Sequence, residues 1–425
     1  MEKINNYREF RLENGLNVVL KETPTKTVSG RLRVWHGALN ERKGEEGIAH
    51  FLEHTLMVGG SKEYSPEKAD QIRGVFGYFN AYTSLDRTCF PVDMLSEDTE
   101  LYIKYISDAI FNPVFDISRV EEERQRVLRE TADTKSSPTF KDNRLYGESF
   151  FGKDSPHNYF ILGKEENINS ASIEILKKFH SRGYNPNNMD IILVGSLPKN
   201  IENLVQDNFG NIPSGIGDRF DFPRNQELSE KKILYTVAPE LYNNENPEQS
   251  SAQLGISFVA PTETDEDSYA VNMLTKILGG DANSRLFSSV SQRKGLAYGI
   301  NAEYDGSDNK GGVYVSGNIS SIKSDEGIDA IFEEMSKLRN DLVSGENLER
   351  LKKKTRYNIA KTFETNGGHV NAIELEMDKG LTPEYYFKKM GEVTPEKIRE
   401  VAIKYFPKNR EDGKYVLLLR DPLRK

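Results

Sequence analysis

Two rhythms of apolar and polar positions divide this chain into strands and helices. Short apolar runs at Phe10-Arg11-Leu12 and Val18-Val19-Leu20 flank Asn14-Gly15, the strongest short-range hairpin signal. Gly30 to Trp35, Ile191 to Val194 and Ala252 to Phe258 read as further strands. Elsewhere the period is helical, as where Ile48, Ala49, Phe51, Leu52, Leu56 and Met57 form an apolar envelope, and where Val120, Val127 and Leu128 give one apolar side. Ser65-Pro66-Glu67 and Ser96-Glu97-Asp98 carry helix-start chemistry. Strands and helices come in mixed order rather than in regular alternation. That order predicts α+β domains, each an antiparallel sheet with helices packed on one face.

The pattern repeats faintly at an offset of roughly 220 residues. Gly30 to Trp35 corresponds to Ala252 to Phe258, Leu56 to Gly60 to Thr275 to Gly280, and Phe179 to Val194 to Tyr405 to Leu419. Between the copies, Pro213, Gly215, Gly217 and Pro223 collect without sustained periodicity, as an interdomain linker would. The organisation predicted is a first domain over 1–212, a linker over 213–230 and a second domain over 231–425. The paired glycines Gly279-Gly280, followed by Asp281 and Ser284, lack the lysine of a phosphate loop and read as a turn.

Chemistry concentrates in His50-Phe51-Leu52-Glu53-His54. On a helix its two imidazoles and carboxylate share one face. Zinc needs two neutral nitrogens converging from one side, and a hydrolytic zinc needs a nearby carboxylate to take a proton from water. This is the inverted zinc motif H-x-x-E-H. A third ligand must come from elsewhere, and the candidate is the acidic helix beginning near Ser118, where Glu123 and Glu130 lie on one face while Glu121 and Glu122 suit a solvated one. His36, His157, His180 and His369 are isolated and read as surface or locally hydrogen-bonded groups.

The motif followed by Glu130 resembles the pitrilysin family of metallopeptidases, which includes insulin-degrading enzyme and the mitochondrial processing peptidase. The resemblance implies that His50, His54 and Glu130 bind one Zn2+ per chain, that Glu53 is the general base, and that Glu123 supports the site. Gly77-Tyr78-Phe79-Asn80-Ala81-Tyr82-Thr83-Ser84 resembles the family's edge strand, so Asn80, Ala81, Tyr82 and Thr83 are expected to pair with the backbone of an extended peptide. Tyr184-Asn185-Pro186-Asn187-Asn188-Met189 is another family-like passage, with a structural role. At the repeat offset His50, Glu53 and His54 fall opposite Ala270, Met273 and Leu274, so the second half cannot hold the metal. The resemblance makes it the other wall of a clamshell substrate chamber.

One departure from the family bears on partners. Single-chain and homomeric members carry an arginine seven residues before the tyrosine of a Gly-Leu-Ala-Tyr run. Here Gly295-Leu296-Ala297-Tyr298 is present, but Ser291 holds the arginine's place and Arg293 stands only five residues before the tyrosine. On an α-helix the two-residue displacement turns a side chain by about 200°. Tyr298, the expected donor to the developing oxyanion, therefore lacks its companion. The resemblance then points to a zinc-bearing subunit completed by a homologous partner without the zinc motif, in a heterodimer, with a homodimer as the other arrangement. A non-catalytic structural or peptide-binding subunit of the same fold is the competing reading.

Composition sets outer limits. A chain of 425 residues, 36% hydrophobic, has enough material for two cores. With a net charge of −9 and no concentrated basic stripe, nucleic acid is excluded as a partner. Cys89 is the single cysteine, which rules out an internal disulfide and suits a reducing compartment. No stretch reaches the length of a membrane span. The amino terminus has neither signal-peptide nor transit-peptide character, and the expectation is a cytoplasmic zinc endopeptidase acting on peptides or unfolded precursor segments.

Overall fold

The computed structural model describes residues 6–217, 219–220, 228, 230–306 and 311–424. Much of the expected linker, at 218, 221–227 and 229, lies outside the described residues. The chain forms two compact units, one of Met1–Ser137, Tyr159–Asp221 and Lys361–Gly380, the other of Pro138–Asn158, Phe222–Ala360 and Leu381–Lys425.

The first unit is built on strands β1 (Arg8–Arg11), β2 (Asn17–Glu22), β3 (Thr27–Val34), β4 (Tyr78–Phe79), β5 (Tyr82–Thr83), β6 (Thr88–Leu95) and β7 (Met189–Gly195). Their order is β1-β2-β7-β3-β6-β4, with β5 also on β6. All pairs are antiparallel except β2 with β7. Its helices are α1 (Ile48–Val58), α2 (Pro66–Arg73), α3 (Thr99–Phe111), α4 (Ile117–Ser136), α6 (Glu165–Ser170), α7 (Ile173–Gly183), α8 (Ile201–Phe209) and α12 (Asn366–Lys379).

In the second unit β8 (Lys232–Val237), β9 (Ser251–Ala260), β10 (Ala297–Asp305), β11 (Gly311–Ser320) and β12 (Val416–Asp421) run in the order β10-β11-β9-β12-β8. Read backwards, that order repeats β2-β7-β3-β6-β4, and the single parallel pair, β12 with β8, falls at the same place. Its helices are α5 (Phe140–Phe151), α9 (Ser268–Gly279), α10 (Ser324–Asn340), α11 (Gly345–Thr362), α13 (Pro383–Glu392) and α14 (Pro395–Tyr405).

Strand alternation explains the layers. Val28, Leu32 and Val34 of β3, with Met189, Ile191 and Leu193 of β7, point into a core shared with α1, α3 and α7. The intervening Ser29, Arg31 and Arg33 point the other way. That second face is covered rather than open, which departs from the expected single helical layer: α12 lays Val370 and Ile373 on Val19, Ile192 and Val194. It also pairs Glu374 with Arg31, and Asp378 with the fully buried Arg33 at 2.9 Å. In the second unit α5 does the same. Phe150 packs with Val416, and Asp142 meets Arg420 at 2.8 Å.

The hairpin forms with Phe10 opposite Val18, but its connection is longer than a two-residue Asn-Gly turn. The backbone N–H of Leu12 donates to Leu16 O, and the Asn14 amide is spent on Phe209 O and Ile212 O at 2.7 and 2.9 Å, tying down the end of α8. Among the described residues no helix is long and apolar enough to cross a membrane.

Candidate metal centre

Helix α1 is apolar on nearly every side and almost wholly buried, so His50 and Glu53 go into the interior with Phe51 and Leu52. Helix α4 packs against it. The start of α4 is fixed by Asp116, whose carboxylate accepts from Arg119 N at 3.0 Å. Val120, Glu123, Val127 and Thr131 form its buried stripe, and Glu130 stands at the edge of that stripe, exposed.

His50 Nε2 and His54 Nε2 lie 3.2 Å apart, and Glu130 Oε2 is 3.8 Å from each. Among the described residues this is the group of His, Cys, Asp or Glu side chains able to hold an ion, with its ligand atoms all within 4.8 Å. A tetrahedral zinc with bonds of about 2.05 Å would set its ligand nitrogens about 3.3 Å apart, so the histidine pair fits without rearrangement. Glu123 Oε2 accepts from His54 Nδ1 at 2.8 Å, which leaves Nε2 with its lone pair toward Glu130. Thr83 Oγ1 donates to Glu53 Oε2 at 2.9 Å.

Electrostatics separates the groups. Burial, then His54, pushes His50 down to about 3, so it is a neutral nitrogen donor. Burial would lower His54 too, but the hydrogen bond it donates to Glu123 and the charges of Glu53, Glu123 and Glu130 outweigh it and raise its pKa. Burial is the first influence on Glu53 and raises its carboxyl, only partly countered by His54 and Thr83. Glu123 moves oppositely, since His54 and Arg126 more than offset its burial.

These side chains open into a cleft of about 680 Å³, whose wall also carries Met57, Arg73, Phe79, Arg126, Ile161 and Leu162. The segment expected to be one edge strand is two short ones. Tyr78–Phe79 and Tyr82–Thr83 each pair with β6, and Asn80 and Ala81 form the break, with Asn80 N donating to Pro91 O at 3.1 Å. Asn80, Ala81, Tyr82 and Thr83 all line the cleft.

Tyr298 belongs to the second unit. It stands at a register shift at the start of β10, the end strand of its sheet, and is 92% exposed. The preceding Phe287–Arg293 winds as a π-helix rather than the α-helix assumed in placing Arg293. Ser291 Oγ donates to Ala297 O at 2.8 Å, bracing the turn before Tyr298, and Arg293 reaches Ser288 O at 3.3 Å. Ala270, Met273 and Leu274 are buried in the second core. Of the remaining histidines, His36 is fully buried and His180 contacts Ile110 O at 2.8 Å.

The motif gave no sign of Glu41, which accepts from Gly47 N and Ala49 N at the start of α1, or of Tyr159, whose hydroxyl donates to Glu41 at 2.5 Å. The available signal was Gly47 itself, a helix start with no side chain to cap it.

The sequence matches two family models, "Insulinase (Peptidase family M16)" over 17–148 and "Peptidase M16 inactive domain" over 170–355. A Bacillus subtilis protein named an uncharacterized zinc protease is 24% identical over 422 residues, covering 98% of each chain. One of the same description from Mycobacterium leprae is 27% identical over 397 residues, 92% of this chain and 87% of that one. In fold, the chain resembles a protease from Helicobacter pylori (TM-score 0.83, 20% identity, 98% of this chain and 100% of that one). It also resembles the periplasmic protease PqqL from Escherichia coli (TM-score 0.81, 18% identity), of which it covers 48%. With both family models matched in order and most of the chain covered, this protein belongs to the insulinase, or M16, family of peptidases.

Proposed function

We propose that the chain is a zinc metallo-endopeptidase subunit that binds one zinc per chain and hydrolyses extended peptides. The observation that carries this reading is the convergence of His50, His54 and Glu130 in the same cleft as a buried, non-ligand carboxylate, Glu53. Bound zinc would supply Lewis acidity and lower the pKa of water toward neutrality. His50 and His54 offer neutral nitrogens, and Glu130 the third donor. Glu123 holds the proton on His54 Nδ1 and so fixes the ring. Glu53, its pKa raised by burial, takes the proton of the attacking water and delivers it to the leaving amine, while Thr83 holds its carboxylate in place. A peptide lies extended along Asn80 to Thr83, bound through main-chain hydrogen bonds that discriminate weakly among sequences.

A related partner subunit supplying an arginine and a tyrosine completes the site in this proposal. Its support is Ser291 at the arginine's place, with its hydroxyl engaged by Ala297 O. The competing reading, a non-catalytic peptide-binding subunit, leaves Glu53 without a task.

The test is cleavage of an unstructured quenched-fluorescence peptide mixture by the purified chain, with Glu53→Gln as control. Glu53→Gln should retain zinc and lose about 10²- to 10⁴-fold in kcat. Cleavage by the chain alone sinks the obligate partner. A folded, zinc-loaded chain that stays silent even with M16 partner subunits sinks the peptidase.

A further inference from the structure

Helix α1 begins without a side-chain cap. Its N-cap residue is Gly47, with φ 101°, and the amides that a cap would satisfy turn instead to a residue six positions upstream. Gly47 N donates to Glu41 Oε2 at 2.9 Å, and Ala49 N donates to Glu41 Oε1 at 2.7 Å. The third donor to this carboxylate is the Tyr159 hydroxyl, at 2.5 Å from Oε2. Tyr159 heads the stretch that places Ile161 and Leu162 in the cleft wall. A second attachment holds the far end of that stretch, where Lys164 N donates to Glu46 O at 3.1 Å and Lys164 Nζ meets the Glu46 carboxylate at 3.0 Å.

We infer that Glu41 is a positioning residue with two tethers, one to the first turn of the histidine helix and one, through Tyr159, to the cleft wall at Ile161 and Leu162. This rests on the zinc-peptidase reading above. The backbone tether sets where His50 begins its turn, one residue after Ala49. The phenol tether sets how close the apolar wall stands to the bound peptide. Burial pushes the Glu41 carboxyl up to about 7 against the pull of its three donors. A carboxylate so placed is a poor source of stability, so its use here is geometric.

The two tethers separate by mutation in the full chain. Tyr159→Phe removes only the phenol tether. It should raise KM for the quenched peptide about three- to tenfold, with the loss falling on KM rather than kcat and zinc affinity within twofold of the parent. Glu41→Gln keeps the size but cannot accept both amides. It should weaken zinc about tenfold, read by competition with a chromogenic chelator, and raise KM as well. Far-UV circular dichroism and thermal melting establish that both variants are folded. The inference is overturned if folded Glu41→Gln holds zinc as tightly as the parent, or if Tyr159→Phe weakens zinc as much as Glu41→Gln does, which would mean general loosening. Should the parent cleave no peptide even with M16 partner subunits present, the peptidase reading fails, whereas the zinc affinities still decide the tether to α1.

Discussion

His50 and His54 are one turn apart on the same helix and are driven in opposite directions, one down by burial and then by its neighbour His54, the other up by a carboxylate partner that outweighs its burial. The partner decides the difference. Removing it by Glu123→Ala frees the His54 ring to rotate and change tautomer, and should weaken zinc about 10- to 100-fold, measurable by chelator competition. A second prediction concerns His36, which burial, then Arg182, pushes down to about 3. Because the folded pKa lies below the unfolded value of about 6.5, the unfolded chain binds more protons between those values, and stability falls as pH drops through that window. Between pH 6.5 and 5 the loss is about 1–2 kcal/mol for this one group. Metal-free parent and His36→Gln, denatured with urea at both pH values, should differ in pH dependence by about that amount. His50 contributes equally to both chains and cancels. An identical pH slope in the two would remove His36 as the source.

At the scale of elements, apolar period and capping chemistry were enough to read α1, α2, α4 and the strands β1, β2, β3, β7 and β9, while β6, β8, β10 and β11 went unread. The reason is local: Ser65 caps α2, Asp116 caps α4, and the apolar stripes face one core. What was not legible depends on distant partners. Asn14 serves α8 rather than a tight turn, the edge strand breaks at Asn80 because its neighbour β6 sets the pairing, and the π-helix before Tyr298 has no periodic signature of its own. The start of α1 is the sharpest case, since its cap comes from Glu41 and its own first position is a glycine. Gly47 has no room to be anything else: an added Cβ would sit 2.8 Å from Leu162 O at a backbone φ of 101°. Gly47→Ala should therefore cost roughly 1–3 kcal/mol, seen as a lower melting temperature of the zinc-loaded chain. Melting unchanged within error would show that the turn can relax, and that its geometry is less constrained than these contacts indicate.

For the molecule as a whole, the repeat in sequence reproduces the repeat in sheet order, yet the compact units do not follow the chain from end to end. Helix α5 comes directly after α4 in sequence and belongs to the second unit, while α12 comes directly after α11 and belongs to the first. Nothing in local propensity could reveal this, because an amphipathic helix fits either sheet equally well until its particular partners are considered. Those partners are specific. Val370 and Ile373 of α12 close over Val19, Ile192 and Val194, and Glu374 and Asp378 meet Arg31 and Arg33. Cutting the chain where its sequence divides, at residue 212, strips the metal-bearing unit of that helix and opens the outer face of its sheet to water. Three fully buried aliphatic side chains on the sheet alone are worth about 1.5–3 kcal/mol each. Their sum is comparable with the 5–15 kcal/mol by which whole domains are stable. Residues 1–212 produced alone should thus fail to unfold cooperatively in urea. The same fragment mixed with a peptide spanning 361–380 should regain a sigmoidal transition whose midpoint rises with peptide concentration, as binding to the folded state alone requires. A fragment that unfolds cooperatively without the peptide, at the midpoint of the parent's first unit, would show that α12 is an ornament on a sheet already complete.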